Sequence, residues 1–459
     1  MKSVKQEIFR AYDIRGVVDR DFDEEWVEML GRACGTFFLQ HGKRQAVVGH
    51  DCRHSSPGYQ SAMIRGLLAT GVDVLFINMV PTPVFYYAVK KFNREAGVMI
   101  TASHNPPEFN GFKVWLGEGT IHSEDVQELY AIMRRGEFAR GQGMAVEHDV
   151  VPAYLEEVGS QVCLESPVRV VVDGGNGAGG EICAELLRRI GADVVELYCK
   201  PDGDFPNHHP DPTRDENNVD LRAKVLETKA HVGIGLDGDG DRIGALDEQG
   251  KMIYGDRLLA VFARQILKDH PGATVIGEVK CSHLMFQDIA DHGGKPIMGQ
   301  TGHSLIKARM KETNAVLAGE MSGHMFFADR YYGFDDALYA SLRLVEIIGQ
   351  APDKPLSTYL AEWPRIFSTP ELRMDCPEEI KFQVVEKAQT YFRERYDIVD
   401  VDGVRIVLPD GWGLLRASNT QPVLVLRFEA ESEKRLTEIR ALVEEPLQQW
   451  IAEFSGKMP

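Results

Sequence analysis

At 459 residues the chain is too long for one hydrophobic core, and two to four domains are expected. Hydrophobic residues at 44% and charged residues at 26% are the proportions of an ordinary globular protein, neither disordered nor fibrous. A net charge of −18 disfavours nucleic acid and anionic membrane surfaces as partners, and it lets small anions bind only where cations are locally concentrated.

No apolar run is long enough to span a bilayer, and the first residues form no signal core, so a cytoplasmic enzyme without membrane contact is expected. Gln45-Ala46-Val47-Val48-Gly49 reads as a strand, 58–70 as an amphipathic helix and Asp73-Val74-Leu75-Phe76-Ile77 as the next strand. The same strand–helix–strand pattern recurs at 168–173, 180–190 and 193–198, and again at 273–279, 284–291 and 296–298. This predicts three related α/β domains on mainly parallel sheets. After Trp363-Pro364 the character changes, with a helix expected over 381–396, strands at 403–408 and 423–428, and a closing helix over 436–454. That is an α+β domain. The expected division is 1–150, 151–253, 254–364 and 365–459. Seven scattered cysteines without a Cys-x-x-Cys pair argue against disulfides, a zinc site or a redox centre.

Four segments could carry chemistry. Thr101-Ala102-Ser103-His104-Asn105-Pro106 follows the apolar strand Val98-Met99-Ile100, and its turn formers should present Ser103 rather than pack it, with Lys113 at the far end. No Gly-x-Ser-x-Gly elbow surrounds Ser103, so a hydrolase triad does not fit. In Asp237-Gly238-Asp239-Gly240-Asp241-Arg242 carboxylates recur at every second residue, and the glycines let the segment curl until they converge. Hard oxygen donors suit Mg²⁺. An EF-hand calcium loop fits less well, because Arg242 stands where the sharp-turn glycine is required. Glu320-Met321-Ser322-Gly323-His324 offers acceptors and donors for a polyol. Arg416-Ala417-Ser418-Asn419-Thr420-Gln421-Pro422 combines guanidinium, hydroxyl, amide and backbone N–H groups into a plausible phosphate cradle. A fifth segment, 173–180, formally matches the dinucleotide fingerprint Gly-x-Gly-x-x-Gly with Glu196 further on. Its Asp173 would sit beside the pyrophosphate, so a structural turn is the better reading.

Taken together, these loops resemble the α-D-phosphohexomutase family, in particular its bifunctional phosphomannomutase/phosphoglucomutase branch. The resemblance runs from Phe9-Arg10-Ala11-Tyr12-Asp13-Ile14-Arg15-Gly16 to the last phosphate loop. It implies three similar mixed-sheet α/β domains and a C-terminal α+β domain around a central cleft. It further implies that Ser103 carries a phosphoryl group and that Asp237, Asp239 and Asp241 bind Mg²⁺ with a phosphoserine oxygen. Glu320 and Ser322 would bind sugar hydroxyls, and Arg416, Ser418, Asn419 and Thr420 the phosphate that is not reacting. Tyr12, Arg15, His104, Lys113, Arg242, Lys280, His303 and His324 match further active-site positions.

The implied reaction interconverts hexose 1-phosphate and hexose 6-phosphate through a hexose 1,6-bisphosphate that reorients in the cleft. Lys113 or His104 would take the proton from the attacking hydroxyl, and the last domain would close on substrate. A phosphoglucosamine mutase and a non-catalytic sugar-phosphate-binding protein are the alternatives. The chain is expected to act as a monomer or small homo-oligomer.

Overall fold

The computed structural model describes residues 2–419 and 421–456, arranged on four sheets. The first three sheets share one plan. In the first, Gln45–His50 pairs parallel with both Asp73–Met79 and Ala96–Ile100, and Phe109–Leu116 returns antiparallel beside Ala96–Ile100. In the second, Arg169–Asp173 lies parallel between Asp193–Leu197 and Val232–Leu236, and Ile243–Asp247 returns antiparallel. In the third, Thr274–Glu278 lies parallel between Lys295–Gly299 and Leu317–Gly319, with Met325–Phe327 returning. The spatial order is second-first-third-fourth each time. The sheets are therefore mixed, and the parallel character expected from the alternation holds for three strands of each repeat.

This plan decides where the functional loops fall. Parallel neighbours need a crossover, and helices supply it, among them Ser56–Leu68, Gly180–Arg189 and His283–Asp291. The antiparallel return needs only a loop. In all three repeats that loop leaves the carboxyl end of a strand inside the sheet, at 101–108, 237–242 and 320–324. Carboxyl ends of such strands are where open α/β sheets place their ligands. The strands feeding the first two loops, Ala96–Ile100 and Val232–Leu236, are buried along their whole length, as strands covered on both faces must be.

One continuous apolar cluster runs from Val47 through Leu187, Phe262 and Leu338 to Tyr359 and joins the first three units, each of which also has a cluster of its own, the largest around Trp26 and Phe112 in the first. The fourth unit has a separate one, built from residues such as Phe392, Leu426, Val443 and Trp450. Its sheet is antiparallel along the path from Phe367–Ser368 through Val423–Ala430, Gly411–Ala417 and Val404–Leu408 to Asp397–Val399, and Lys381–Arg393 and Glu433–Phe454 cover it. Two details differ from the sequence reading. The helix expected to reach 396 stops at Arg393, because Asp397–Val399 pairs with Val404–Leu408. Gly411–Ala417 is a fully buried strand whose glycines and tryptophan hide any alternation, and Arg416 lies on it rather than in the loop that follows.

The fourth unit docks on the segment 279–283 through polar groups. Arg405 donates to the carbonyls of Val279 (2.7 Å) and Cys281 (2.8 Å), and its guanidinium lies 3.7 Å from the Trp412 ring centroid. Arg427 donates to the Lys280 carbonyl. Glu429 accepts from Ser282 Oγ at 2.8 Å and Trp412 Nε1 at 3.0 Å, and pairs with His283 Nδ1 at 2.8 Å. Burial pulls the Arg405 guanidinium down to about 10. Burial works against ionised Glu429 as well, but His283, Arg427, Ser282 and Trp412 overcome it and hold the carboxyl at about 2.

All seven cysteines are free thiols, five of them buried, as expected of small apolar side chains. Among the described residues no helix is long and apolar enough to cross a membrane.

Candidate active site

Ser103 sits at the floor of a cleft lined by all four units. Its backbone is left-handed, with φ of 52°, a conformation that costs an L-residue about 1–2 kcal/mol. Ser103 N–H donates to Thr101 Oγ1 at 2.9 Å, and Oγ donates to Asp237 Oδ2 at 2.7 Å and lies 3.1 Å from His104 Nδ1. The side chain faces the cleft as the turn residues implied, yet the residue is only 2% exposed. The metal-type loop covers it. A β-carbon at Gly238 would stand 2.5 Å from the Ser103 carbonyl oxygen, so the two loops meet through a position that only glycine can fill.

Asp237, Asp239 and Asp241 are fully buried, and one carboxylate oxygen from each lies within 4.8 Å of the others. Asp237 Oδ1 accepts the N–H groups of Asp241 (3.1 Å) and Arg242 (3.2 Å). Lys113 donates to Asp239 Oδ2 at 2.8 Å and to Asp241, and Thr82 Oγ1 donates to Asp239 at 2.6 Å. Asp239 Oδ1 and Asp241 Oδ1 are buried without a hydrogen-bond partner. Burial, followed by the Asp241 and Asp239 carboxylates, pushes Asp237 well above the usual carboxyl range. Three carboxylates against one ammonium leave a net negative pocket with open lone pairs, and a hard divalent cation fits that donor set.

A second cluster, Asp241, His324 and Asp335, is also compact enough to hold a cation. There Lys113 already neutralises Asp241, and Lys307 neutralises Asp335 at 2.9 Å, so the charge balance favours the aspartate triad.

The third loop faces the first two. Glu320 Oε1 accepts from Gly302 N at 2.6 Å and Oε2 from Ser322 Oγ at 3.0 Å. Arg242 Nε donates to His324 Nε2 at 3.1 Å, and the backbones of these two residues form a β-bridge that joins the second and third loops. His324 Nδ1 lies 3.0 Å from Asp335 Oδ2, and Lys307 Nζ lies 3.1 Å from His303 Nδ1. Burial, reinforced by neighbouring cations, pulls His104 and His303 well below the usual imidazole value.

From the fourth unit, Arg416 Nε is paired with Asp402 at 2.9 Å, and Ser418 is held by an N–H bond to Val423 O at 3.0 Å. Lys280 bridges toward Glu371 of that unit at 3.1 Å.

The cleft thus brings together Tyr12, Arg15, Ser103, His104, Lys113, Asp241, Arg242, Lys280, His303, Glu320, Ser322, His324, Arg416, Ser418 and Asn419. Asp237 and Asp239 lie in the loop beneath Ser103. Thr420 lies outside the described residues.

Sequence reasoning missed Arg10, Asp13, Asn105, Thr301, Glu371 and Arg373, which also line the cleft. Arg10 and Asp13 lie in the segment 9–16 and Asn105 in the serine segment 101–106, but neither pattern assigns them a role, and Thr301, Glu371 and Arg373 lie in no motif. The structure defines Asp13 as the partner of Arg15 at 2.6 Å and Asn105 as that arginine's other acceptor at 2.6 Å. The glycines of 173–180 prove to be packing positions. A β-carbon at Gly177 would meet Gly238 O at 2.7 Å, one at Gly180 would meet Cys199 O at 2.6 Å, and Glu196 pairs with Arg188. This turn supports the aspartate loop from below, where a dinucleotide would need open space.

Comparison with known proteins agrees with this layout. Family models described as phosphoglucomutase/phosphomannomutase alpha/beta/alpha domains I, II and III match residues 6–140, 152–250 and 254–366, and the model of that family's C-terminal domain matches 371–445. The phosphomannomutase/phosphoglucomutase of Pseudomonas aeruginosa is 44% identical over 436 residues, covering 95% of this chain and 94% of the relative. The phosphoglucomutase of Neisseria gonorrhoeae is 44% identical over 445 residues, 96% of each chain. A solved phosphoglucomutase/phosphomannomutase family protein from Burkholderia thailandensis superposes with a TM-score of 0.91 at 40% identity, covering 98% of both chains. With four family domains in order and relatives of this similarity along nearly the whole length, the chain belongs to the phosphoglucomutase/phosphomannomutase family and is an isomerase.

Proposed function

We propose that this hexose-phosphate mutase interconverts the 1- and 6-phosphates of mannose or glucose by way of a phosphoserine at Ser103 and a hexose 1,6-bisphosphate. The observation that carries the reading is the 2.7 Å contact of Ser103 Oγ with Asp237, at the floor of a cleft whose other walls hold polyol-binding and cationic groups.

C1 and C6 of one sugar are too far apart for direct transfer, so a stored phosphate is needed. A serine ester suits storage because phosphate monoesters hydrolyse very slowly unaided. Asp237, Asp239 and Asp241, with an oxygen of the phosphoserine, would hold Mg²⁺, which when bound neutralises charge on the phosphoryl group. Arg242 adds a guanidinium beside the same loop. His104 lies 3.1 Å from Ser103 Oγ and, held neutral by burial, can take the proton from the attacking hydroxyl, whereas Lys113 is held as an ammonium by Asp239 and Asp241 and would first have to lose its proton. Glu320 and Ser322 orient the sugar hydroxyls. Arg416, Ser418, Asn419 and Thr420 grip the phosphate that stays behind, and Tyr12, Arg15, Lys280, His303 and His324 complete the walls. Each of the divisions 1–150, 151–253, 254–364 and 365–459 then contributes one functional loop.

Phosphorus NMR tests the substrate directly. Mannose 1-phosphate or glucose 1-phosphate, with Mg²⁺ and a trace of bisphosphate, should give the 6-phosphate resonance. Silence with both, and turnover of glucosamine 1-phosphate, would move the chain to the amino-sugar branch. A probable phosphoglucosamine mutase of Methanopyrus kandleri is 36% identical over 441 residues, so that branch belongs in the panel. Peptide mass spectrometry should find one phosphate, on Ser103.

A further inference from the structure

Arg53 lies outside the cleft lining, and its side chain has no exposed surface. It is nevertheless the most heavily bonded side chain around the serine loop. Nε pairs with Asp51 Oδ2 at 3.1 Å. Nη1 donates to the carbonyls of Pro106 (2.6 Å) and Phe109 (3.0 Å), and Nη2 to those of Ser103 (2.8 Å) and Asn105 (2.6 Å). A guanidinium has five N–H donors, and here all five have an acceptor. Four of those acceptors are main-chain carbonyls of the segment 103–109, which includes the carbonyl of the residue held at φ of 52°.

Such convergence of carbonyl dipoles would be repulsive without a cation at its centre. The planar fork supplies that cation with fixed directions, as a flexible ammonium cannot. The guanidinium is itself fixed from both sides. Asp51 Oδ1 accepts from Arg53 N–H at 3.0 Å and from Ser56 Oγ at 2.6 Å, and the ring of Phe205, from the second unit, lies 5.2 Å away. The scaffold of the serine loop therefore reaches into the unit that carries the aspartates.

We infer that Arg53 is a positioning residue for phosphoryl transfer: it is the template around which 103–109 is wound, and it sets the aim of Ser103 Oγ without touching substrate. This rests on Ser103 being the carrier. Because sugar and distal phosphate are gripped by Glu320, Ser322 and Arg416 on other units, loss of the template should lower kcat and spare KM.

The test compares the full-length wild type with Arg53→Lys and Phe205→Leu, the second keeping the guanidinium and loosening only its cover. Steady-state kinetics would be read alongside thermal unfolding and Ser103 phosphate by mass spectrometry. A kcat loss of roughly 10²-fold for Arg53→Lys and a few-fold for Phe205→Leu is expected, with KM within about threefold of wild type. In an Arg53→Ala chain, added methylguanidinium should restore part of kcat, and methylammonium should not. If Arg53→Lys does not fold, the Phe205→Leu kinetics decide. An unchanged kcat, or a loss confined to KM, overturns the inference. A wild-type chain that turns over without phosphate on Ser103 would overturn the carrier reading instead.

Discussion

The first three units and the fourth are joined to the site in opposite ways. Units one to three share an unbroken apolar core from Val47 to Tyr359, and their loops touch at close range, Gly238 against Ser103 and Arg242 against His324. The fourth contributes nothing to that shared cluster and meets the others through Arg405, Arg427 and Glu429, with a small apolar patch of Val279, Trp412 and Leu414. Buried apolar contact resists sliding, because close-packed interiors are not continuously deformable. Polar contacts on carbonyls can be exchanged for water at modest net cost. The difference separates two demands of a mutase. In the proposed reaction, nucleophile, metal ligands and sugar hold their alignment, while the group proposed to grip the far phosphate lets go so that the intermediate can turn.

Perturbations of the two parts should therefore differ in kind, and the largest effects belong to the fixed part. Ser103→Ala should lower kcat by about 10³-fold or more with the fold intact, measured by turnover and circular dichroism. A retained rate would mean the carrier lies elsewhere. Gly238→Ala places a β-carbon against the Ser103 carbonyl and should cost roughly 10²-fold in kcat with KM little changed. Equal loss in both would show that the loops do not act as a unit.

In the fourth unit, Arg416→Ala should raise KM roughly tenfold to a hundredfold with a smaller change in kcat, since Arg416 is the proposed guanidinium contact to the non-reacting phosphate. The smallest effect concerns docking. Glu429 is held at about 2 in the folded chain, below its ordinary 4.5, so its stabilising contribution is complete above pH 4.5 and is lost as pH falls toward 2. Glu429→Gln should destabilise by about 1–3 kcal/mol at pH 7 and flatten that acid limb, read by denaturant unfolding across pH. An unaltered limb would remove Glu429 from the docking contact.

How much of this was legible from residues alone follows from the range of the interactions. Ser103 and the three aspartates stand out because turn formers and alternating carboxylates are local patterns. The strand–helix–strand repeats were visible for the same reason. Arg53 carries no such mark, since four of its five acceptors lie about fifty residues away and are main-chain atoms. Asp335, poised behind His324 and His303, is likewise defined by neighbours from distant segments. The glycines of 173–180 could be read in two ways until their contacts with Gly238 and Cys199 showed that the backbone itself fills the space. Gly411–Ala417 was missed because a strand buried on both faces has no alternation to read.

The threefold reuse of one strand plan has a consequence for breakage. Because the same return loop is proposed to take a different task in each repeat, the proposed nucleophile, ion holder and sugar reader lie on separate stretches of chain, and no repeat is a smaller version of the enzyme. A nick between the first and second repeats, or between the second and third, divides tasks that must meet within a few ångströms. One beyond the third leaves those tasks together and severs only the proposed phosphate grip. Tolerance to cleavage, insertion or splitting into complementing fragments should therefore be uneven along the chain, and greatest near the join before residue 371.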